Sequence, residues 1–189
     1  MKRKILVCAL IIGVIAVSAL GTLAYFTSED TATNVVTAGN IKIELNEREL
    51  SDGQAETVPF EDKINVVPDT AVSKIVTVKN TGNHPAYIRI SVDKQIILPD
   101  GIEGEADFSL METDFNTECW TEKDGYWYYN KSLEAGEETE PLFTGVTFAK
   151  DMDNIYQNST AKLTVKAFGV QSENNGSNPF ETNGWPETK

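Results

Sequence analysis

Through much of this chain apolar residues recur at every second position, and that period excludes a helical fold. Ile41, Ile43 and Leu45 alternate with Lys42 and Glu44, and Val76 and Val78 with Thr77 and Lys79. Ile88, Ile90 and Val92 alternate with Arg89, Ser91 and Asp93. Successive side chains of a strand point to opposite faces, so the alternation describes strands with one buried face. Further strands are predicted over 142–148 and 162–170, with a short one over 64–67. Asn80-Thr81-Gly82-Asn83 is a turn sequence in which Gly82 can take a positive φ without steric cost, and it makes 72–93 a predicted hairpin. Lys123-Asp124-Gly125 predicts a second over 117–130, because Asp-Gly suits a two-residue hairpin loop. Only 105–114 and 151–157 read as short helices.

Short strands joined by long polar connections predict an all-β domain of two antiparallel sheets packed as a sandwich. Its inner faces should bury Ile41, Ile43, Val76, Val78, Ile88, Ile90, Leu163 and Val165. From Ser172 onward Asn, Gly, Ser, Pro and Thr dominate, which predicts a mobile tail.

The N-terminus reads differently. Lys2, Arg3 and Lys4 precede an uncharged apolar run from Ile5 to Leu20, shorter than the roughly 20 residues that span a bilayer as a helix. The pattern is that of a secretory signal helix, with a transmembrane anchor as the alternative. Thr22-Leu23-Ala24 supplies small side chains where a signal peptidase needs them, which places the cut between Ala24 and Tyr25. The expected division is a signal peptide over 1–24, an extended segment over 25–38, the sandwich over 39–171 and the tail over 172–189. Cys8 lies inside the apolar run, too early for lipidation at the cut. Cys119 is then the only cysteine of the mature chain, which excludes an internal disulfide and leaves stability to packing.

Sixteen basic residues stand against 29 acidic ones, a formal charge of −13, and three of the basic ones lie in the leader. So acidic a chain is a poor partner for nucleic acid or anionic lipid.

The run GTLAYFTSEDTATNVVTAGNIKIEL resembles the start of the TasA/camelysin family, secreted proteins of Gram-positive bacteria that a dedicated signal peptidase of the SipW type processes. The positions that carry the resemblance are Gly21, Thr22, Ala24, Tyr25, Phe26, Thr31 to Thr33 and Ala38-Gly39. It resumes at VVPDTAVSKIVTVKNTGNHPAYIRI and, more weakly, at STAKLTVKAFGVQSEN, while 94–158 adds nothing to it. The resemblance implies a jelly-roll form of the sandwich and a place in an extracellular or biofilm matrix or at the cell surface. It also implies SipW-type processing and self-association into filaments, with other matrix proteins or polysaccharide as further partners. In the fibre-forming members the freed N-terminal segment of one subunit adds as a strand to the next. Here that segment is 25–38, with Tyr25, Phe26, Val35 and Val36 as its apolar members. An added strand satisfies an open sheet edge, and head-to-tail addition does not close on itself. A plain leader into the first strand is the competing reading of the same residues, and the sequence does not choose between them.

The camelysin branch is classed as a metallopeptidase, yet this chain has one histidine, His84, in a turn beside Pro85. Catalytic zinc usually takes two or three histidines, so no peptidase site is assembled. No Gly-x-Ser-x-Gly elbow is present either. The chain is therefore read as non-enzymatic, with no catalytic, cofactor or metal residue assigned. A surface module for carbohydrate or protein is the alternative. Trp120 and Trp127, in a cluster with Tyr126, Tyr128 and Tyr129, are its candidate binding residues, although along one strand only alternate rings share a face. Asp151, Asp153 and Asn154 lack the remaining ligands of a calcium loop. Glu134, Glu137, Glu138 and Glu140 read as a solvated acidic run.

Overall fold

The alternation becomes strand nearly everywhere it was found. The computed structural model describes residues 34–38, 40–51, 56–60, 64–102 and 104–186, all within a unit that begins at Thr33. The strands are β1 (Val35–Ala38), β2 (Ile43–Leu50), β3 (Thr57–Pro59), β4 (Ile64–Asn65), β5 (Thr70–Ser73) and β6 (Ile75–Asn80). They continue with β7 (Ala86–Ile97), β8 (Met111–Thr113), β9 (Trp120–Lys123), β10 (Tyr126–Tyr129), β11 (Gly145–Phe148) and β12 (Thr160–Gln171). The predicted helices shrink to 3-10 turns at Phe108–Leu110 and Asn154–Tyr156. Each is capped by an aspartate whose carboxylate accepts a backbone N–H two residues on, Ser109 for Asp107 and Ile155 for Asp153. The predicted signal helix and the cleavage site at Ala24 and Tyr25 lie outside the described residues.

The spine is the antiparallel pair β7 and β12, matched over twelve residues from Thr160 opposite Ile97 to Gln171 opposite Ala86. Their sheet has the order β1-β12-β7-β10-β9, with β4 also on β12. Two three-stranded antiparallel sheets run β5-β11-β8 and β3-β2-β6. Backbone bonds from Lys74 N–H to Thr144 O (3.0 Å), Val76 N–H to Phe143 O (3.2 Å) and Leu142 N–H to Val76 O (2.8 Å) lead from one of these sheets into the other. All eight predicted core residues are buried, joined by Trp120, Phe143, Phe148 and Met111.

The Asp-Gly hairpin forms as expected. Asp124 (φ 53°) and Gly125 (φ 77°) make the two-residue loop between β9 and β10, with Lys123 opposite Tyr126. The hairpin predicted over 72–93 does not form. β6 pairs with β2, while β7 pairs with β12 and β10, so the two strands belong to different sheets. Alternation marks a face that looks into the core, and it reads the same whether two strands lie side by side or face each other. The chain crosses at Asn80, which is fully buried. Its amide nitrogen donates to His84 O and Leu133 O, both at 2.9 Å, and its oxygen accepts from Gly82 N–H at 3.0 Å. Gly82 is not in the left-handed region. It is needed for closeness, because a Cβ there would stand 3.1 Å from the Lys42 nitrogen.

Two buried cations were not anticipated. Lys74, between β5 and β6, is fully buried, with Nζ 2.6 Å from Glu47 Oε1 and 3.7 Å from the centre of the Phe60 ring. The angles at the two atoms miss those of a hydrogen bond, so the contact is chiefly Coulombic. Arg89 on β7 shares a face with its cross-strand neighbours Tyr128 and Phe168. It is 91% buried, between these rings, Tyr126 and the chain after β12.

That chain, expected from its composition to be a mobile tail, makes specific contacts with the large sheet. Trp185 lies 4.7 Å from the Arg89 guanidinium and 5.7 Å from the Tyr128 ring, and Phe180 lies 5.4 Å from Tyr128. Pro186 O accepts from Arg89 at 3.1 Å. Thr182 Oγ1 donates to Asn175 O and Asn178 O, both at 2.9 Å, which closes the segment on itself. Its composition is polar, but two rings meeting an aromatic sheet face are enough to dock it.

Candidate assembly edge and aromatic sites

β12 offers two edges. One is taken by β7 throughout. On the other, β4 pairs antiparallel with Thr160 and Ala161, and β1 pairs parallel with residues 167–170, Val35 opposite Ala167. Ser159 O accepts from Val66 N–H and Ala167 N–H donates to Asn34 O, so alternate residues from 159 onward present their backbone groups to this edge. Leu163 and Val165 fall between these contacts. Both side chains are buried, and among the described residues no strand pairs with this stretch of backbone. A buried main-chain donor or acceptor without a partner costs about as much as a lost hydrogen bond. Among the described residues, then, β12 is paired along this edge at both ends and left without a strand at Leu163 and Val165.

The structure places the predicted assembly residues Val35 and Val36 in β1, opposite Ala167 and Phe168 of their own chain, with Val35 packed against the core. Tyr25 and Phe26 lie outside the described residues.

The aromatic cluster is divided by the alternation. Trp120 is fully buried, tilted against Tyr129 at 5.0 Å, and its indole N–H donates to Glu140 O at 3.1 Å. Contrary to the expectation for a surface binding residue, it offers no face to a ligand, because its side of the β9–β10 hairpin looks into the core. Tyr126 and Tyr128 look the other way and cage Arg89, whose guanidinium stands 3.9 Å from the Tyr126 ring. Trp127 is half-buried and stacks on Phe115 with ring centres 4.2 Å apart and planes 19° from parallel. Beside it opens a cavity of about 350 Å³ that Val92, Lys94, Phe108, Phe115, Glu122 and Trp127 help to line. Lys94 Nζ donates to Met111 O at 2.7 Å, and burial holds the ammonium below its ordinary pKa against the pull of Glu112. The sequence singled out Trp127 but missed Phe108 and Phe115, which sit in the poorly patterned stretch before the hairpin.

Glutamates read as a solvated run act as bolts. Glu138 accepts from the Thr77 hydroxyl and from Asn46 Nδ2, and Glu140 accepts from the Tyr129 hydroxyl. Those hydroxyl bonds hold both carboxyls below the usual range. Burial pushes the Asp114 carboxyl up, but bonds from the Thr144 hydroxyl and N–H and from Gly145 N–H outweigh it and leave the group lowered. A carboxylate whose folded pKa is depressed contributes stability that is complete above its unfolded value, near pH 4, and lost as pH falls through the folded value. Asp114→Asn should therefore unfold at lower urea than the parent at pH 7. The gap should narrow as the pH drops below about 4, which paired urea curves at pH 7 and pH 3 will measure.

His84 faces Glu173, Nδ1 to Oε2 at 3.5 Å, and Cys119 is a half-buried free thiol. Asp153 already caps the turn at Asn154–Tyr156, and among the described residues no three His, Cys, Asp or Glu side chains gather as metal ligands would. No family model matches the chain, and no curated protein or solved structure matches it either.

Proposed function

We propose that this chain is a secreted, non-enzymatic structural subunit of an extracellular or biofilm matrix, with a jelly-roll-like sandwich that assembles by strand donation. The observation that carries the reading is the stretch of β12 at Leu163 and Val165 with which no strand among the described residues pairs, on the same edge along which β1 runs in parallel register. A strand that carried on from β1 in that register would lie on Val165 and then Leu163. The stretch preceding β1 in sequence is 25–33, YFTSEDTAT, which has no proline and three β-branched threonines. Supplied by a neighbouring subunit, such a strand makes a head-to-tail contact that propagates into a filament. Supplied by the same chain, it closes a monomer. The backbone bonds between the two smaller sheets favour a second continuous layer, which is the sandwich this assembly needs. The acidic surface fits export and solubility rather than any polyanionic partner.

The position of β1 refines the test. Removing 25–38 would also remove a strand that packs in its own sheet, so the cut belongs before Asn34. Protein beginning at Tyr25 should form filaments visible by electron microscopy. Protein beginning at Asn34 should keep the same circular dichroism and remain monomeric in light scattering. Filaments from both proteins, or from neither, would overturn strand donation.

A further inference from the structure

The cavity beside Trp127 belongs neither to the β12 edge nor to the tail clasp. It lies where the inner face of the large sheet runs out from under its cover. Trp127 shares that face with its cross-strand partners Ile90 and Glu122, and Val92 and Lys94 continue the same side of β7. Ile90 is fully buried, whereas Val92 and Lys94 are half-buried. Phe108 stands at the opening and is 58% exposed, more than any other large apolar side chain among the described residues. Three rings in so small a space, one of them unprotected, are an unfavourable arrangement for a surface that only meets water.

We propose that this cavity is a saccharide-binding site for chains of β-linked glucose or glucosamine units. The volume of about 350 Å³ lies within the range of ligand clefts, about 300–1,000 Å³. Such sugars carry equatorial substituents that leave apolar C–H faces, and those faces stack on aromatic rings. The exposed Phe108 ring supplies one such face, and the stacked pair of Trp127 and Phe115 offers its outer surface beside it. Hydroxyl and amino groups around the sugar's rim are donors and need acceptors. Glu122 provides them: its Oε1 accepts from Gly125 N–H at 3.2 Å, and among the described residues no group donates to Oε2. Lys94 is occupied by Met111 O, so the local balance favours a neutral or amino sugar over an acidic one. A net charge of −13 acts in the same direction over longer range. The site is independent of polymerisation, and a subunit with both features would tie a protein fibre to a glycan.

The test uses the mature protein from Tyr25 to Lys189, kept monomeric by dilution, with tryptophan fluorescence read during titration with cellotetraose, chitotetraose and its de-N-acetylated form. At least one of these should shift the emission saturably. Phe108→Ala, at a position 58% exposed and outside the buried core, should keep the parent's circular dichroism and weaken binding by about tenfold. Trp127→Ala should abolish binding as read by isothermal titration calorimetry, since that variant removes the reporting indole, while far-UV circular dichroism stays unchanged. Absence of saturable binding to all three sugars, or binding unaltered in Phe108→Ala, would overturn the assignment. A concentration-dependent dimer that Phe108→Ala dissolves would also overturn it, by showing that a second copy fills the groove.

Discussion

Trp120→Ala should destabilise the fold by about 3–5 kcal/mol, the range for removing a fully buried large ring. The indole has no exposed surface, leans on Tyr129 and satisfies Glu140 O. Alanine would leave both a cavity and a backbone carbonyl without its donor. In a domain of this size such a loss lowers Tm by roughly 10 °C or more. Trp127→Ala, at a half-buried ring, should cost clearly less. Thermal and urea unfolding of the two variants side by side would separate the paired tryptophans of one hairpin into a core residue and a rim residue. Equal stability of Trp120→Ala and the parent would refute the burial assigned to Trp120.

Lys74→Ala should cost a similar amount, about 3–5 kcal/mol, because it strands Glu47 beside an apolar ring with no counter-charge. Glu47 keeps 20% of its side chain in contact with solvent, which places the expected value toward the lower end. The informative comparison is the double variant Lys74→Met with Glu47→Leu. Replacing both partners by apolar groups of similar volume is often neutral or stabilising, so the double variant should recover most of the loss seen in either single one. A purely steric role for Lys74 predicts instead that Lys74→Met alone is as stable as the double variant.

Strand positions and core faces were legible in the sequence because a two-residue period has one physical cause. Ile88 and Val165 had to point inward if their neighbours pointed out. Partnership was not legible, since a core-facing pattern does not say which strand lies alongside. That is why 72–93 read as a hairpin although β6 and β7 belong to different sheets, the crossing being held by the buried Asn80 side chain and by backbone bonds to its neighbours. The contacts of the tail were hidden for another reason. Composition averages over residues, and two rings, Phe180 and Trp185, outweigh a dozen polar neighbours once a matching aromatic surface exists. Of the candidate sites, Trp127 was visible as an aromatic in a turn-flanked strand. The stretch at Leu163 and Val165 that no described strand covers was invisible, because backbone pairing leaves no mark on side-chain pattern.

Arg89 is a cation that no carboxylate among the described residues neutralises, in a chain with acid to spare. Rings and the Pro186 carbonyl surround it instead. Dissolved ions weaken attraction between exposed opposite charges, but they have little purchase on a desolvated guanidinium held by π faces and a peptide oxygen. The C-terminal clasp is consequently built to hold equally well in dilute and in concentrated brine, a tolerance that a surface ion pair in the same place would not confer.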